Sequence, residues 1–93
     1  MPKYARKVDD NQAEIVAALR RGNHQVVTMN TLPAGFPDLI VCRAGYCHFV
    51  EVKAIKGGRI TPAQYDFHQD WQGPPIKVVK TIDEAFEAVS GRY

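Results

Sequence analysis

The sequence is poor in cysteine and contains no long apolar run. Its 93 residues include only two cysteines, Cys42 and Cys47. No stretch is long and apolar enough to span a membrane, and the amino-terminal segment lacks the pattern of a secretory signal. These absences predict no membrane partner, a cytoplasmic location and reduced cysteines that serve in packing. Zinc binding by the two cysteines and His48 is the alternative, but the paired CxxC spacing typical of such sites is missing.

Other absences limit the architecture and the chemistry. The sequence has no internal repeat, low-complexity tract or linker, which predicts one domain over residues 1–93, with residues 1–8 as a loose basic arm. No Ser/His/Asp or Cys/His arrangement indicates a catalytic nucleophile. A chain this small buries only about two thirds of its unfolded surface. We therefore expect its stability to depend in part on a partner subunit.

Apolar periodicity and turn signals predict the element order αβββαβα. Residues 11–21 carry apolar side chains at helical spacing, and Thr61, Pro62 and Gln64 form a capping box that opens a second helix. The remaining segments are predicted as strands over residues 25–29, 38–43, 46–54 and 76–79, and as a last helix over residues 81–89. This order indicates an α/β fold.

Three charged residues stand on two otherwise apolar strands. Asp38 opens the first of these strands, and Glu51 and Lys53 lie two residues apart on the second. Because side chains alternate along a strand, Glu51 and Lys53 share one face. The short turn between the strands predicts an antiparallel hairpin. Buried charges of this kind are costly unless they are paired or bind a metal.

Two converging carboxylates with an ammonium group beside them indicate a definite chemistry. Carboxylates hold hard divalent cations, and an ammonium group neutralises charge that builds up on a phosphate. The combination predicts metal-assisted hydrolysis of a phosphodiester. A surface salt bridge is the alternative, since Glu-x-Lys is common on exposed strands. The apolar character of the rest of the strand favours the first interpretation.

The chain resembles the PD-(D/E)xK nuclease superfamily, and within it the VRR-NUC group, especially the small stand-alone members of phages and prophages. Three segments carry the resemblance, namely Gly35-Phe36-Pro37-Asp38, Phe49-Val50-Glu51-Val52-Lys53 and Thr61-Pro62-Ala63-Gln64. The resemblance implies a restriction-endonuclease-like αβββαβ core, with a mixed four-stranded sheet flanked by helices. It covers nearly the whole chain.

The resemblance also implies roles for individual residues. Asp38 and Glu51 would bind a Mg²⁺ or Mn²⁺ ion, with the Val52 backbone carbonyl as a further ligand. Lys53 would orient the attacking water or stabilise the pentavalent phosphate. Glu14 on the first helix matches an acidic residue beside the metal, and Gln64 matches the glutamine that follows the lysine. For the last two residues a structural role is the alternative, namely an exposed helix position for Glu14 and the capping box for Gln64.

The implied activity is that of a magnesium-dependent DNA endonuclease, which acts as a homodimer on branched DNA such as a four-way (Holliday) junction. Two further hypotheses are a nuclease of another preference, with nicking, flap or end processing, and a non-catalytic nucleic-acid-binding module of the same fold. Net charge is only +2, but the basic residues are clustered, which suits a polyanionic substrate. The predicted DNA contacts are Lys3, Arg6, Lys7, Arg43, Lys56 and Arg59.

Several other residues have structural interpretations. The three histidines, His24, His48 and His68, are expected to be hydrogen-bonded structural residues, although His68 lies one helical turn beyond Gln64 and could point toward the substrate. Tyr65 and Trp71 are expected in the core or at a dimer contact rather than as platforms for base stacking. The dimer surface is expected on the helices or on the strand near residues 25–29.

Overall fold

Three helices and four strands make up the part of the chain that the computed structural model describes, residues 10–32 and 35–90. Their order is the predicted αβββαβα, and their ends lie within two residues of the predicted ones. The elements are α1 Gln12–Arg21, β1 Gln25–Thr28, β2 Leu39–Arg43, β3 Tyr46–Val52, α2 Pro62–Asp70, β4 Ile76–Val79 and α3 Ile82–Ala88.

The four strands form one mixed sheet in the order β1-β2-β3-β4. The first two pairings are antiparallel, and β4 joins β3 in parallel. A parallel neighbour requires a crossover connection, and the segment that contains α2 supplies it. The structure therefore confirms the α/β fold class and the mixed four-stranded sheet flanked by helices.

The sheet has its main core on one face, against α1 and α3. Strand alternation turns Leu39, Val41, Val50 and Val52 toward this side, and all four are buried. The helices contribute the other half of the core, which comprises Ile15, Val16, Leu19, Ala85 and Val89. This packing fixes β2 and β3 side by side, so the opposite face of both strands is held in a defined position.

The opposite face of the sheet lies beneath α2 and carries an aromatic cluster. Phe36, Phe49, Phe67 and Trp71 meet with ring centroids 5.1 to 6.5 Å apart. Gly35 brings the preceding loop close to the helix, because a Cβ there would lie 2.9 Å from the Ala63 carbonyl oxygen. Trp71 thus packs as predicted. These contacts place the first turn of α2 over the end of β3.

The β2–β3 hairpin corrects one prediction. Ala44 and Gly45 form its turn with φ angles of 53° and 88°, as two-residue hairpin turns of the primed type require. The register then sets Cys42 directly opposite Cys47, and the two form a disulfide. The prediction of reduced cysteines in packing is wrong, because the cross-strand register brings their α-carbons to 4.1 Å. No helix of residues 10–32 and 35–90 is long and apolar enough to cross a membrane.

Candidate functional site

The three predicted charged residues meet at one end of the sheet, on the face beneath α2. Asp38 immediately precedes β2, and the antiparallel register sets it beside Glu51 on β3. Lys53 follows the last residue of β3 and lies on the same face as Glu51. The three are 8%, 1% and 7% exposed, respectively. The alternative of an exposed surface salt bridge does not hold, since all three charges are buried.

Hydrogen bonds hold both oxygens of the Asp38 carboxylate. The backbone amide of Val52 donates to Oδ2 at 2.9 Å, and the Asn30 side-chain amide donates to Oδ1 at 3.3 Å. The Val52 backbone and Asn30 therefore hold the carboxylate in place, and its oxygens are of the type that binds hard divalent cations.

Glu51 has one oxygen that is engaged and one that is not. Oε2 accepts a hydrogen bond from the Gln64 side-chain amide and lies 3.4 Å from Lys53 Nζ. Oε1 is buried and has no hydrogen-bond partner within residues 10–32 and 35–90. A buried oxygen without a partner is costly, and a bound cation would satisfy it.

The electrostatics of Glu51 reflect the same arrangement. Burial and, secondly, the neighbouring Asp38 carboxylate raise the pKa of this carboxyl from its ordinary 4.5 to about 7. The Lys53 ammonium opposes the rise in pKa but does not cancel it. The raised pKa means that the ionised form of Glu51 is costly in this site, and a bound cation would offset that cost.

Gln64 connects this pair to the start of α2. Its Oε1 accepts from Lys53 Nζ at 2.6 Å and from the Thr61 backbone amide at 3.0 Å. In return the Thr61 hydroxyl accepts from the Gln64 backbone amide at 3.2 Å, which completes the predicted capping box. The two roles considered for Gln64, in the cap and in the site, are thus filled by one side chain.

The amino-terminal end of α1 reaches the same region through residues that sequence reasoning missed. The Asn11 side-chain amide donates to the Lys53 carbonyl at 3.0 Å and to the Lys80 carbonyl at 2.7 Å. The next residue, Gln12, donates to Asn30 Oδ1 at 2.8 Å. The available signal was Gln12 itself, a polar residue in phase with the apolar positions of α1.

Glu14 lies elsewhere. It is exposed and lines a cavity of about 240 Å³ together with Ile55, Lys80 and Asp83. Within the described parts of the chain, no three side chains of the His, Cys, Asp or Glu type are grouped so that they could hold a metal ion. The structure therefore does not bring Glu14 to Asp38 and Glu51, and it favours the alternative of an exposed helix residue.

The predicted DNA contacts fall into three groups. Lys56 and Arg59 are exposed in the segment that leads from Lys53 to α2, at the same end of the sheet as the carboxylates. Arg43 is exposed at the opposite end of β2, about 17 Å along the strand from Asp38 by the rise per residue. Three others, Lys3, Arg6 and Lys7, lie outside the described residues, as does the basic arm over residues 1–8.

The histidines and Tyr65 complete the survey. His48 is buried on the face of the sheet that packs against α1 and α3, and His24 packs edge-to-face against Phe86. Both positions are those expected of structural residues. His68 lies on α2, where burial and the Lys53 charge both lower its pKa. Tyr65 is 58% exposed, so it is not a core residue.

Comparison of the chain with protein-family models, with curated proteins and with solved structures finds no match. Interpretation of the site consequently depends on its geometry and chemistry.

Proposed function

We propose that this chain is a metal-dependent endonuclease that hydrolyses phosphodiester bonds in DNA, of the VRR-NUC group in the PD-(D/E)xK superfamily. One observation carries the proposal. Glu51 Oε1 is buried and receives no hydrogen bond from a donor group in residues 10–32 and 35–90, and the Glu51 and Asp38 carboxyl groups lie within hydrogen-bonding reach of each other. A divalent cation between the two carboxylates would remove this deficit.

The donor set suits Mg²⁺ or Mn²⁺. Both prefer carboxylate, carbonyl and water oxygens, and Mg²⁺ in particular keeps several waters and needs only one or two carboxylates. Asp38 and Glu51 would supply the side-chain oxygens. The Val52 peptide adjoins them, since its amide donates to Asp38, and its carbonyl is the proposed third ligand. When bound, such an ion polarises the scissile phosphate and lowers the pKa of a coordinated water.

The chain's own residues would divide the remaining tasks. Lys53 would place a positive charge beside the phosphate oxygens, where negative charge develops in the transition state. Gln64 accepts a hydrogen bond from the Lys53 ammonium and thereby fixes the direction of its Nζ. The Gln64 side-chain NH₂ group also donates to the Glu51 carboxylate and would align it. These contacts preorganise the site before the substrate arrives.

We further propose that the substrate is branched DNA and that the active form is a homodimer. Lys56 and Arg59 would contact phosphates beside the site, with Lys3, Arg6, Lys7 and Arg43 as the outer contacts. Exposed apolar side chains at both edges of the sheet, Val27 on β1 and Val78 on β4, support a self-association surface. A two-fold dimer would present two sites to two strands.

The test is cleavage of an end-labelled four-way junction, a flap and a linear duplex by the purified chain, with Mg²⁺, Mn²⁺ or EDTA. The parent is expected to cut only with metal. Asp38→Asn, which keeps the shape but removes the charge, is expected to abolish cleavage while DNA binding in a gel-shift assay persists.

The matched control is Asp70→Asn, because Asp70 is an exposed aspartate at the end of α2. Cleavage by Asp38→Asn at the parent rate in Mg²⁺ would refute the proposed metal site. Cutting of the flap as well as the junction would leave the nuclease assignment intact and remove the junction preference.

A further inference from the structure

A chain of two side-chain amides connects α1 to the Asp38 carboxylate. Gln12 is the first residue of α1, is only 4% exposed and donates from Nε2 to Asn30 Oδ1 at 2.8 Å. Asn30 then donates from Nδ2 to Asp38 Oδ1 at 3.3 Å. Burying a polar amide without a partner is unfavourable, so this position of Gln12 depends on the contact with Asn30.

The orientation of Asn30 is held by Gln12 on one side and by Asp38 on the other. An asparagine side chain can present either its oxygen or its NH₂ group to a neighbour. Gln12 Nε2 donates to Asn30 Oδ1, and the Asn30 NH₂ group lies between Gln12 Oε1, 3.5 Å away, and Asp38 Oδ1, 3.3 Å away. On the other side, the Val52 backbone amide holds Asp38 Oδ2 at 2.9 Å. Both oxygens of Asp38 are therefore fixed, which restricts rotation of the carboxylate.

We propose that Gln12 and Asn30 are positioning residues that orient Asp38 for binding one divalent cation. The inference rests on the proposed function and goes beyond it, because neither amide is among the residues that the family resemblance implies for catalysis. Outer-shell hydrogen bonds to a ligating carboxylate fix its orientation, and their loss typically weakens metal affinity or activity about 10-fold to 100-fold.

Gln12 and Asn30 are neutral, so they add no charge to the site. Asp38 and Glu51 are its two carboxylates, and the groups that contact them include the Lys53 ammonium and the amides of Asn30, Gln64 and Val52. In the part of the chain that the structure describes, no third acidic side chain joins the pair. The charge is therefore suited to a single divalent ion rather than two.

The experiment measures Mn²⁺ binding to the DNA-free chain by isothermal titration calorimetry and, separately, kcat and KM for DNA cleavage. The parent is expected to bind one Mn²⁺ per chain. Asn30→Ala is expected to raise the Kd for Mn²⁺ and to lower kcat about 10-fold to 100-fold each, with KM for DNA changed far less. Gln69→Ala is the matched control, because Gln69 is an exposed amide on α2.

Gln12→Glu tests the direction of the hydrogen bonds at nearly constant volume. A carboxylate at position 12 can only accept, so the 2.8 Å bond to Asn30 Oδ1 is lost. The Asn30 NH₂ group, already 3.5 Å from Gln12 Oε1, would be drawn toward the new carboxylate and away from Asp38. We expect weaker Mn²⁺ binding and a lower kcat, as for Asn30→Ala. Thermal unfolding of each variant confirms that it is folded, and if Asn30→Ala does not fold, Gln12→Glu decides the question.

The outcomes separate the two proposals. If the parent neither binds Mn²⁺ nor cleaves DNA, the proposed function fails. If the parent does both and Asp38→Asn does neither, but folded Asn30→Ala and Gln12→Glu match the parent in Kd and kcat, the positioning role is overturned while the function stands. Two Mn²⁺ ions per parent chain, or tighter binding by Gln12→Glu, would refute the inference of a single ion fixed by a neutral pair.

Discussion

Replacement of Glu51 by glutamine is expected to stabilise the metal-free protein at alkaline pH. Burial holds the carboxyl pKa near 7, against an ordinary value of 4.5. The folded state therefore binds the proton more tightly than the unfolded state, and this group favours folding most below pH 4.5. Its contribution falls as the pH rises from 4.5 to 7 and is lost above 7. The size of the pKa rise corresponds to about 3 kcal/mol.

Glutamine removes this pH dependence because it has no proton to lose. Its side-chain oxygen can still accept the hydrogen bond that the Gln64 amide donates to Glu51 Oε2, and Lys53 keeps its 2.6 Å contact with Gln64. In urea unfolding with EDTA and without reductant, the stability excess of Glu51→Gln over the parent should grow by about 2 to 3 kcal/mol between pH 5 and pH 8. Adding Mg²⁺ at pH 8 should stabilise the parent and leave the variant unchanged.

Glu87→Gln is the matched control, since Glu87 is an exposed glutamate on α3, across the sheet from the site. It should show no stability excess that grows with pH. Equal pH profiles for the parent and Glu51→Gln would refute the reasoning, because the ionised carboxylate would then cost nothing when buried. Lower stability of Glu51→Gln at pH 8 would refute it as well.

Three further predictions concern activity and assembly. Lys53→Ala is expected to lower the rate of single-turnover cleavage about 100-fold or more while DNA affinity changes little, because Lys53 acts on charge that develops in the transition state. Unchanged cleavage with weakened DNA binding would mean that Lys53 only binds DNA. Calcium is expected to support DNA binding in a gel-shift assay but little cleavage, since its longer and looser coordination fits the carboxylate pair poorly for catalysis; efficient cutting with Ca²⁺ would contradict this. Sedimentation at micromolar concentration is expected to show twice the 10.4 kDa chain mass; a monomeric mass would contradict the dimer.

Strand periodicity was sufficient to predict the central part of the site. The alternation of side chains set Glu51 and Lys53 on one face, and the hairpin turn set Asp38 beside them. The structure agrees on all three, and the capping-box pattern also gave the correct start of α2. These features depend on local geometry, which the sequence determines strongly.

Two of the expectations left out information that the sequence contained. The predicted turn already implies that Cys42 lies opposite Cys47, but the cysteines were predicted to be reduced because a reducing compartment was expected. On α1, buried Gln12, Ile15 and Leu19 define the inner face, and two residues beyond Gln12 the helix has rotated by about 200°. Glu14 therefore faces solvent, so helical phase alone would have separated it from the carboxylate pair.

The role of Asn30 could not be predicted in the same way. It lies in the irregular segment between β1 and β2, which has no periodicity to indicate where a side chain points. Its two partners, Gln12 and Asp38, are 18 and 8 residues away along the chain. Only the tertiary packing of α1 at the end of the sheet brings the three together.

The dual use of Gln64 has a consequence for local motion. Fraying of a first helical turn is ordinarily a low-energy event that affects only the helix end. Here, opening the first turn of α2 would withdraw the side chain that contacts both Glu51 and Lys53. Helix fraying and loss of the site's geometry are thereby one cooperative step. Occupancy of the site would slow hydrogen exchange at the backbone amide of Gln64, which donates to the Thr61 hydroxyl.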